Sequence, residues 1–352
     1  MTVIFLSANS GGAAVRITKK HLIIYMCLII LLAMLTMYRL PYYVYQPGGA
    51  DALDDIVAVE NGFQSEGNMH LVTVSGGQAT PIQWLWAKFA SYHEIQPIKE
   101  VRPKDMSEED YRHMQLQMME SSQESSVVVA YEAAGKDIEM EYNGVYVMSV
   151  QENTPAADKL EMGDRITGID DQKIFEADDL IDIVDQKEVG DTITLQVIRD
   201  DEPRSETITL AELDGKAAMG ISLVTDRKVK VDPEVTFSSG NIGGPSAGLM
   251  FALEIYDQLT EEDLTKGYQV IGTGGLNYDG SVYRIGGIDK KVVAADEAGC
   301  DIFFAPYEEG GEDSNYAVAK RTAEEIGSDM DIVPINSFDE ALDYLEGLEW
   351  NK

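Results

Sequence analysis

Gly240-Asn-Ile-Gly-Gly-Pro-Ser-Ala-Gly-Leu-Met-Phe-Ala-Leu253 is the stretch on which the reading of this chain turns. Small residues crowd before Ser246, and an apolar run follows with Leu249, Ala252, Leu253 and Tyr256 at helical spacing. A serine at such a junction lies beside backbone N–H groups that no helical carbonyl claims. Amides around Gly244, Pro245 and Ser246 are therefore expected to hold an oxyanion, while the glycines let a substrate come close. A Gly-rich turn before a helix can also cradle a phosphate. The pattern G-x-x-x-x-G-K-[ST] is absent, however, and no lysine follows these glycines, so no nucleotide is expected.

A serine hydroxyl needs a base to become a nucleophile. The four histidines are His21, His70, His93 and His113, all far upstream. Lysine can serve instead when burial lowers its pKa towards neutrality. The stretch Ile285-Gly-Gly-Ile-Asp-Lys-Lys-Val-Val-Ala-Ala-Asp-Glu-Ala-Gly299 reads as a short helix, with Asp289 as N-cap and Gly299 as stop. Lys291, Ala294, Ala295 and Ala298 share one face, which would hold the amine among alanines, and Lys290 is expected on a wetter side. A lysine that merely reaches past this face to solvent is the bland alternative.

Together these segments resemble the proteolytic domain of the Lon family of Ser-Lys dyad peptidases, over roughly residues 214–350. The phrase G-P-S-A-G stands at Gly244–Gly248. The lysine phrase matches at Gly286, Gly287, Lys291, Ala294 and Ala295. Between them Thr273-Gly-Gly-Leu276 matches the T-G-x-[IL] turn. The resemblance implies Ser246 as nucleophile, Lys291 as general base and Thr273 as the residue orienting the lysine, with no metal or cofactor. The two-histidine strand of some relatives has no counterpart, since Asp232 and Glu234 occupy that region. No Walker motif occurs, so cleavage is expected to be independent of ATP.

Residues 125–213 read as a second module. Ser126–Tyr131, Val145–Val150, Arg165–Ile169, Thr192–Arg199 and Glu206–Leu210 are expected as strands, with helical pieces at Pro155–Leu160 and Ala177–Val184. With the phrase Met162-Gly-Asp-Arg-Ile-Thr-Gly-Ile-Asp170 this order resembles a PDZ domain. Such a module needs a loop of free amides for a carboxylate and then an exposed strand edge. Tyr142, Asn143, Gly144 and Val145 are the expected loop. A spacer domain without a ligand is the alternative.

Further upstream, residues 22–38 form an uncharged apolar run long enough to cross a bilayer. Residues 1–20 carry Arg16, Lys19 and Lys20 and no acid, so the N-terminus is expected in the cytoplasm and the catalytic domain outside the cell membrane. Tyr38, Tyr42, Tyr43 and Tyr45 are expected at the interface. The run exceeds a typical signal core and no small-x-small site follows it, which favours a retained anchor over a cleaved signal peptide. Residues 41–124 contain a strand-like piece at His70–Ser75 and a polar helix near Ser107–Met119, with no assignable chemistry. Cys27 and Cys300 are too far apart in role to form an expected staple.

The expected architecture is thus multidomain: a single transmembrane helix within residues 1–40, an extracytoplasmic region 41–124, a PDZ-like small β-domain 125–213 and an α/β peptidase domain 214–350. Strands at Gly267–Gly272, Ser281–Ile285, Asp301–Ala305 and Asp331–Ile335 alternate with helices near 246–259, 289–298, 315–327 and 338–347. The whole pattern resembles Gram-positive surface proteases of the YlbL/SepM type. It implies a membrane-anchored serine endopeptidase acting on peptides or loosely folded proteins. An inactive, tethered peptide-binding scaffold is the rival reading. A net charge of −35 argues against nucleic acid as a partner, and the oligomeric state is open.

Overall fold

The computed structural model describes residues 18–102, 106–213, 215–308 and 311–351; Arg16 of the basic flank lies outside them. The helices are α1 (Lys19–Met37), α2 (Pro81–Ala87), α3 (Ile98–Val101), α4 (Glu108–Ala133), α5 (Ala177–Asp185), α6 (Gly248–Leu259), α7 (Ile288–Glu297), α8 (Asn315–Ile326) and α9 (Phe338–Glu346). The chain forms two compact units, residues 1–47 with 74–105, and residues 48–73 with 106–352.

In the first unit, α1 is long and apolar enough to cross a membrane, with a mean hydropathy of 2.1 and none of its window buried. A small core of Val44, Ala79 and Ala87, joined by Tyr42, Trp84 and Ile95, holds α2 against the strand pairing of Tyr42–Tyr45 with Glu94–Pro97. The tyrosines expected at a membrane interface are therefore partly strand residues. Tyr43 is buried and stacks on Tyr45, and Tyr42 meets Trp84.

The larger unit is built around parallel strands. Gln269–Gly272 pairs with residues 68–71 on one side and with Ile302–Pro306 on the other, and Ile302–Pro306 pairs with Asp331–Ile335. Helices cover both faces, so these strands read as continuous apolar runs rather than alternations. The alternation is instead between two cores. Val270, Ile302, Phe304 and Val333 face a cluster with α6 and α9. Ile271, Phe303 and Ala305 face a second cluster with α7 and α8.

Two expectations about the chain before this sheet are corrected. Ser126–Tyr131 is not a strand: it is the buried end of α4, where Val127, Ala130 and Tyr131 pack into the α6 cluster. Strand propensity in S-S-V-V-V-A-Y lost to a capped helix, begun by the reciprocal Ser107–Asp110 box and fixed by tertiary packing. Residues 48–73 and 106–133 accordingly belong to the same compact body as α6 and the parallel strands and not to a separate region. Val235–Phe237 closes that body by pairing with Val57–Val59.

Between Ala133 and Val231 the chain makes an antiparallel sheet in the order Ile221–Val231, Ile138–Val150, Arg165–Ile169, Thr192–Arg199, Glu202–Thr209. Its own core contains Val145, Ile166, Leu180, Leu195 and Ile208. The buried Asp164 accepts hydrogen bonds from Arg199 Nε at 2.6 Å and from the Glu161 amide, which explains why Gly-Asp precedes this strand. Pro155–Leu160 forms successive turns rather than a helix. The β-module is therefore inserted into the larger α/β body, since the chain leaves that body at the end of α4 and returns along Ile221–Val231.

Candidate active site

α6 begins two residues after Ser246, so the hydroxyl sits where the turn gives way to a buried apolar helix. Gly248 permits the approach that makes the site. A Cβ there would lie 2.8 Å from Leu276 Cβ and 2.9 Å from Ser122 Oγ. The turn Thr273–Leu276 is thereby held against the nucleophile loop. Gly274 N–H donates to the Ser246 carbonyl at 3.0 Å, and so does Thr273 Oγ1 at 3.0 Å.

Lys291 reaches the same point from α7. Its Nζ lies 2.7 Å from Ser246 Oγ and 2.7 Å from Thr273 Oγ1. The lysine is 3% exposed, and burial alone pulls its amine down to about 7. An amine enclosed by two hydroxyls, with no ion pair to a carboxylate among the described residues, is suited to act as a base near neutral pH.

Several details of α7 differ from expectation. Gly287, with φ of 70°, is the N-cap, and Asp289 lies inside the first turn. Lys291, Ala294 and Ala295 are buried as expected, together with Ile288 and Val292, whereas Ala298 is exposed. Lys290 is as buried as its neighbour, and its charge is matched by Asp289 at 3.2 Å. Helix rotation alone does not separate the two lysines; their partners do.

The structure also revises the oxyanion donors. Gly244 N–H donates to the Gln115 carbonyl at 2.8 Å, and Pro245 carries no N–H. The two residues shape the loop, leaving the amides of Ser246 and Ala247 at the start of α6 as the candidate donors. Three residues of α4 that sequence reasoning missed hold this loop. Besides Gln115, Ser122 Oγ donates to the Pro245 carbonyl at 3.0 Å, and Ser126 Oγ donates to the Gly248 carbonyl at 2.8 Å. The spacing of Ser122 and Ser126, one helical turn on a buried face, was the available signal. Among the described residues no cluster of three or more His, Cys, Asp or Glu is placed to hold a metal ion.

In the inserted module, Tyr142–Val145 is not a free loop. It lies within the strand Ile138–Val150, where Val145 pairs with Thr225 on one side and Ile166 on the other. Tyr142 and Asn143 line a hollow of about 520 Å³ with Thr167, Gln172, Phe175 and Gln196. The strands at the two ends of this sheet are instead Ile221–Val231, next to Ile138–Val150, and Glu202–Thr209 on the far side. Helix α5 lies beside Ile221–Val231, where the Ala177 amide donates to Thr225 Oγ1 at 3.0 Å.

Two family models match parts of the chain. Residues 133–210 match the family model of the PDZ domain, and residues 217–346 match that of the Lon protease C-terminal proteolytic domain. The Lon protease of Aster yellows witches'-broom phytoplasma is 30% identical over 94 residues, which is 27% of this chain and 11% of that protein. The Lon protease of Roseiflexus castenholzii is 30% identical over 127 residues, 36% of this chain and 15% of that protein. This chain therefore spans only a small part of the curated relatives it matches. A solved PDZ domain of the SdrC-like protein of Listeria monocytogenes is 41% identical, covering 24% of this chain and 90% of its own, with a TM-score of 0.23. The chain thus combines a PDZ domain and a Lon-type proteolytic domain behind one N-terminal apolar helix.

Proposed function

We propose that this chain is a membrane-anchored serine endopeptidase that works without ATP on peptides and loosely folded proteins outside the membrane, with Ser246 and Lys291 as its catalytic dyad. The observation that carries the reading is the buried Lys291 amine, 2.7 Å from both Ser246 Oγ and Thr273 Oγ1. In its neutral form the amine accepts the Ser246 proton while donating to Thr273, and the serine oxygen attacks a peptide carbonyl. The Ser246 and Ala247 amides hold the resulting oxyanion at the helix start. Lys291 then returns its proton to the leaving amine, and water, deprotonated by the same lysine, releases the acyl group and restores the serine.

α1 serves as the anchor. With the basic Lys19 and Lys20 at its start, the remainder of the chain lies on the far side of the membrane. The PDZ domain holds an extended peptide by strand addition. By the same requirement that first pointed to Tyr142–Val145, the strand that accepts it is Ile221–Asp226, entered through the turn at Met219-Gly220 and flanked by α5 with its exposed Ile181.

The direct test is to incubate the full chain, reconstituted in lipid, with a casein-like polypeptide in the absence of ATP. The wild type cleaves it and Ser246→Ala does not; equal cleavage by both removes the assignment, and cleavage that requires ATP removes its energy independence. The PDZ groove is tested by amide hydrogen exchange with a bound peptide. Protection gained in 221–226 supports this edge, whereas protection confined to the hollow beside Tyr142 refutes it. Deleting 125–213 would not isolate the module, because it removes the end of α4 and the pairing partner of Ile221–Val231.

A further inference from the structure

We infer that α2 is a second membrane contact, an interfacial helix whose outer face lies in the lipid headgroup layer beside the point where α1 leaves the bilayer. This inference rests on α1 being the anchor and adds a surface to it.

Four apolar side chains at spacings of three, four and seven stand on the outer face of α2 and the turn after it. They are Ile82 at 50% exposed, Leu85 at 55%, Trp86 at 67% and Phe89 at 82%. The inner face is already used, since Ala87 and Trp84 pack into the small core of this unit. A helix apolar on both sides is satisfied in water on neither, so the outer face calls for an apolar partner.

The first argument that the partner is lipid is position. Leu40 N–H donates to the Ala79 carbonyl at 2.8 Å, Arg39 Nη1 to the Gln78 carbonyl at 2.7 Å, and Gln78 Nε2 to the Leu40 carbonyl at 2.9 Å. These bonds tie the residues just after α1 to those just before α2, and the two helices pack together within the same unit. The outer face of α2 is therefore held within a few residues of the end of a bilayer-spanning segment. The second argument is charge. The chain carries 62 acidic residues, yet none occurs in residues 1–50 and none in residues 74–93. In a protein this acidic, the two longest acid-free runs, residues 1–50 and 67–93, are the ones joined at the end of α1, which suits contact with an anionic lipid surface. Trp86 and Phe89 suit the interface, where an aromatic ring sits at headgroup level. Lys88 folds back over Trp84, its Nζ 3.9 Å from the ring centre, and so leaves the apolar face clear.

The chain has three tryptophans, Trp84, Trp86 and Trp350, and none in α1. The full-length double variant Trp84→Phe, Trp350→Phe is reconstituted into vesicles of phosphatidylcholine and phosphatidylglycerol, with bromines carried either near the headgroup end or near the tail end of the acyl chains. Shallow bromines should remove most of the Trp86 emission and deep ones several-fold less. If the double variant misfolds, the same readout comes from wild type minus Trp86→Phe. An alkaline carbonate wash separates the two readings. Chain retained by the vesicles with Trp86 emission untouched by either brominated lipid overturns the second contact and leaves the anchor standing. That holds equally when Trp86 is open to aqueous iodide and when another copy or protein shields it. Chain released by the wash overturns the anchor and this inference together.

Discussion

The two ends of α6 bury ionisable groups of opposite sign, and the contrast shows why one of them is the candidate for chemistry. At its N-terminal end the Lys291 amine is desolvated and drawn down to about 7. Towards its C-terminal end Glu254, 5% exposed, is desolvated and pushed up to about 7. Glu254 lines a cavity of about 260 Å³ with Asp54, Asp257 and Gln258, and Asp257 is also raised by burial. Desolvation thus brings both groups to neutral pH, so a perturbed pKa does not by itself identify a catalytic residue. The difference lies in the partners. Lys291 faces the hydroxyl of a serine at a helix start, whereas Glu254 accepts from the Gln258 side-chain amide at 2.6 Å, a group with no proton to give up near neutral pH.

The contrast can be broken most sharply at Lys291. Lys291→Met should lower kcat/KM for a peptide by roughly 10³–10⁴-fold or more, as loss of a base acting as a unit with its nucleophile does. It should also raise stability. Between the folded value near 7 and the ordinary 10.5, the unfolded chain holds a proton that the folded chain has released. Wild-type stability therefore rises with pH across that window, and the cost of burying the charge is complete below it. The methionine variant should gain ~3–5 kcal/mol below pH 7, a gain that fades towards pH 10.5. Denaturant titration over pH measures this, and a destabilised variant would show that the amine is not buried as a neutral group.

Wild-type kcat/KM should rise about tenfold per pH unit below 7 and level off above it, the profile of a base that must lose its proton. A profile flat from pH 5 to 9 would detach Lys291 from the chemistry. Thr273→Val should cost about 10–100-fold in kcat, because it removes one contact to the amine and one to the Ser246 carbonyl. An unchanged kcat would leave the lysine oriented by packing alone.

Glu254→Gln should act in the opposite sense and on stability alone. The folded carboxyl keeps its proton between 4.5 and about 7, so wild-type stability falls as pH rises through that range. The glutamine variant should lack this fall and be more stable above pH 7 by ~1–3 kcal/mol, with the two proteins equal below 4.5. A large loss of peptidase activity in this variant would erase the contrast between the two ends.

What was readable before the fold was known follows range of interaction. The serine loop, the Thr273 turn and the α7 lysine were legible because each is a short run whose residue types serve a local need: glycine for close approach, alanine beside a buried amine. The parallel strands and α6, α7, α8 and α9 were legible for a similar reason, as apolar runs with local stops. Lys290 was misplaced because helical angle says which way a side chain points but not whether a carboxylate waits there. Gln115, Ser122 and Ser126 were missed because their partners are more than a hundred residues away.

The sequence by itself determined the chemical kit: a serine without a usable histidine, a lysine that must be desolvated, and an apolar N-terminal helix. Tertiary structure decided everything that depends on which edge meets which. It placed α4 behind the nucleophile loop, inserted the PDZ domain into the peptidase body, and closed the strand at Val145 by pairing it on both sides. The physical reason is that backbone hydrogen bonds and packed faces carry no residue label. A strand edge is open or filled according to what the rest of the chain brings to it, and only the folded chain settles that.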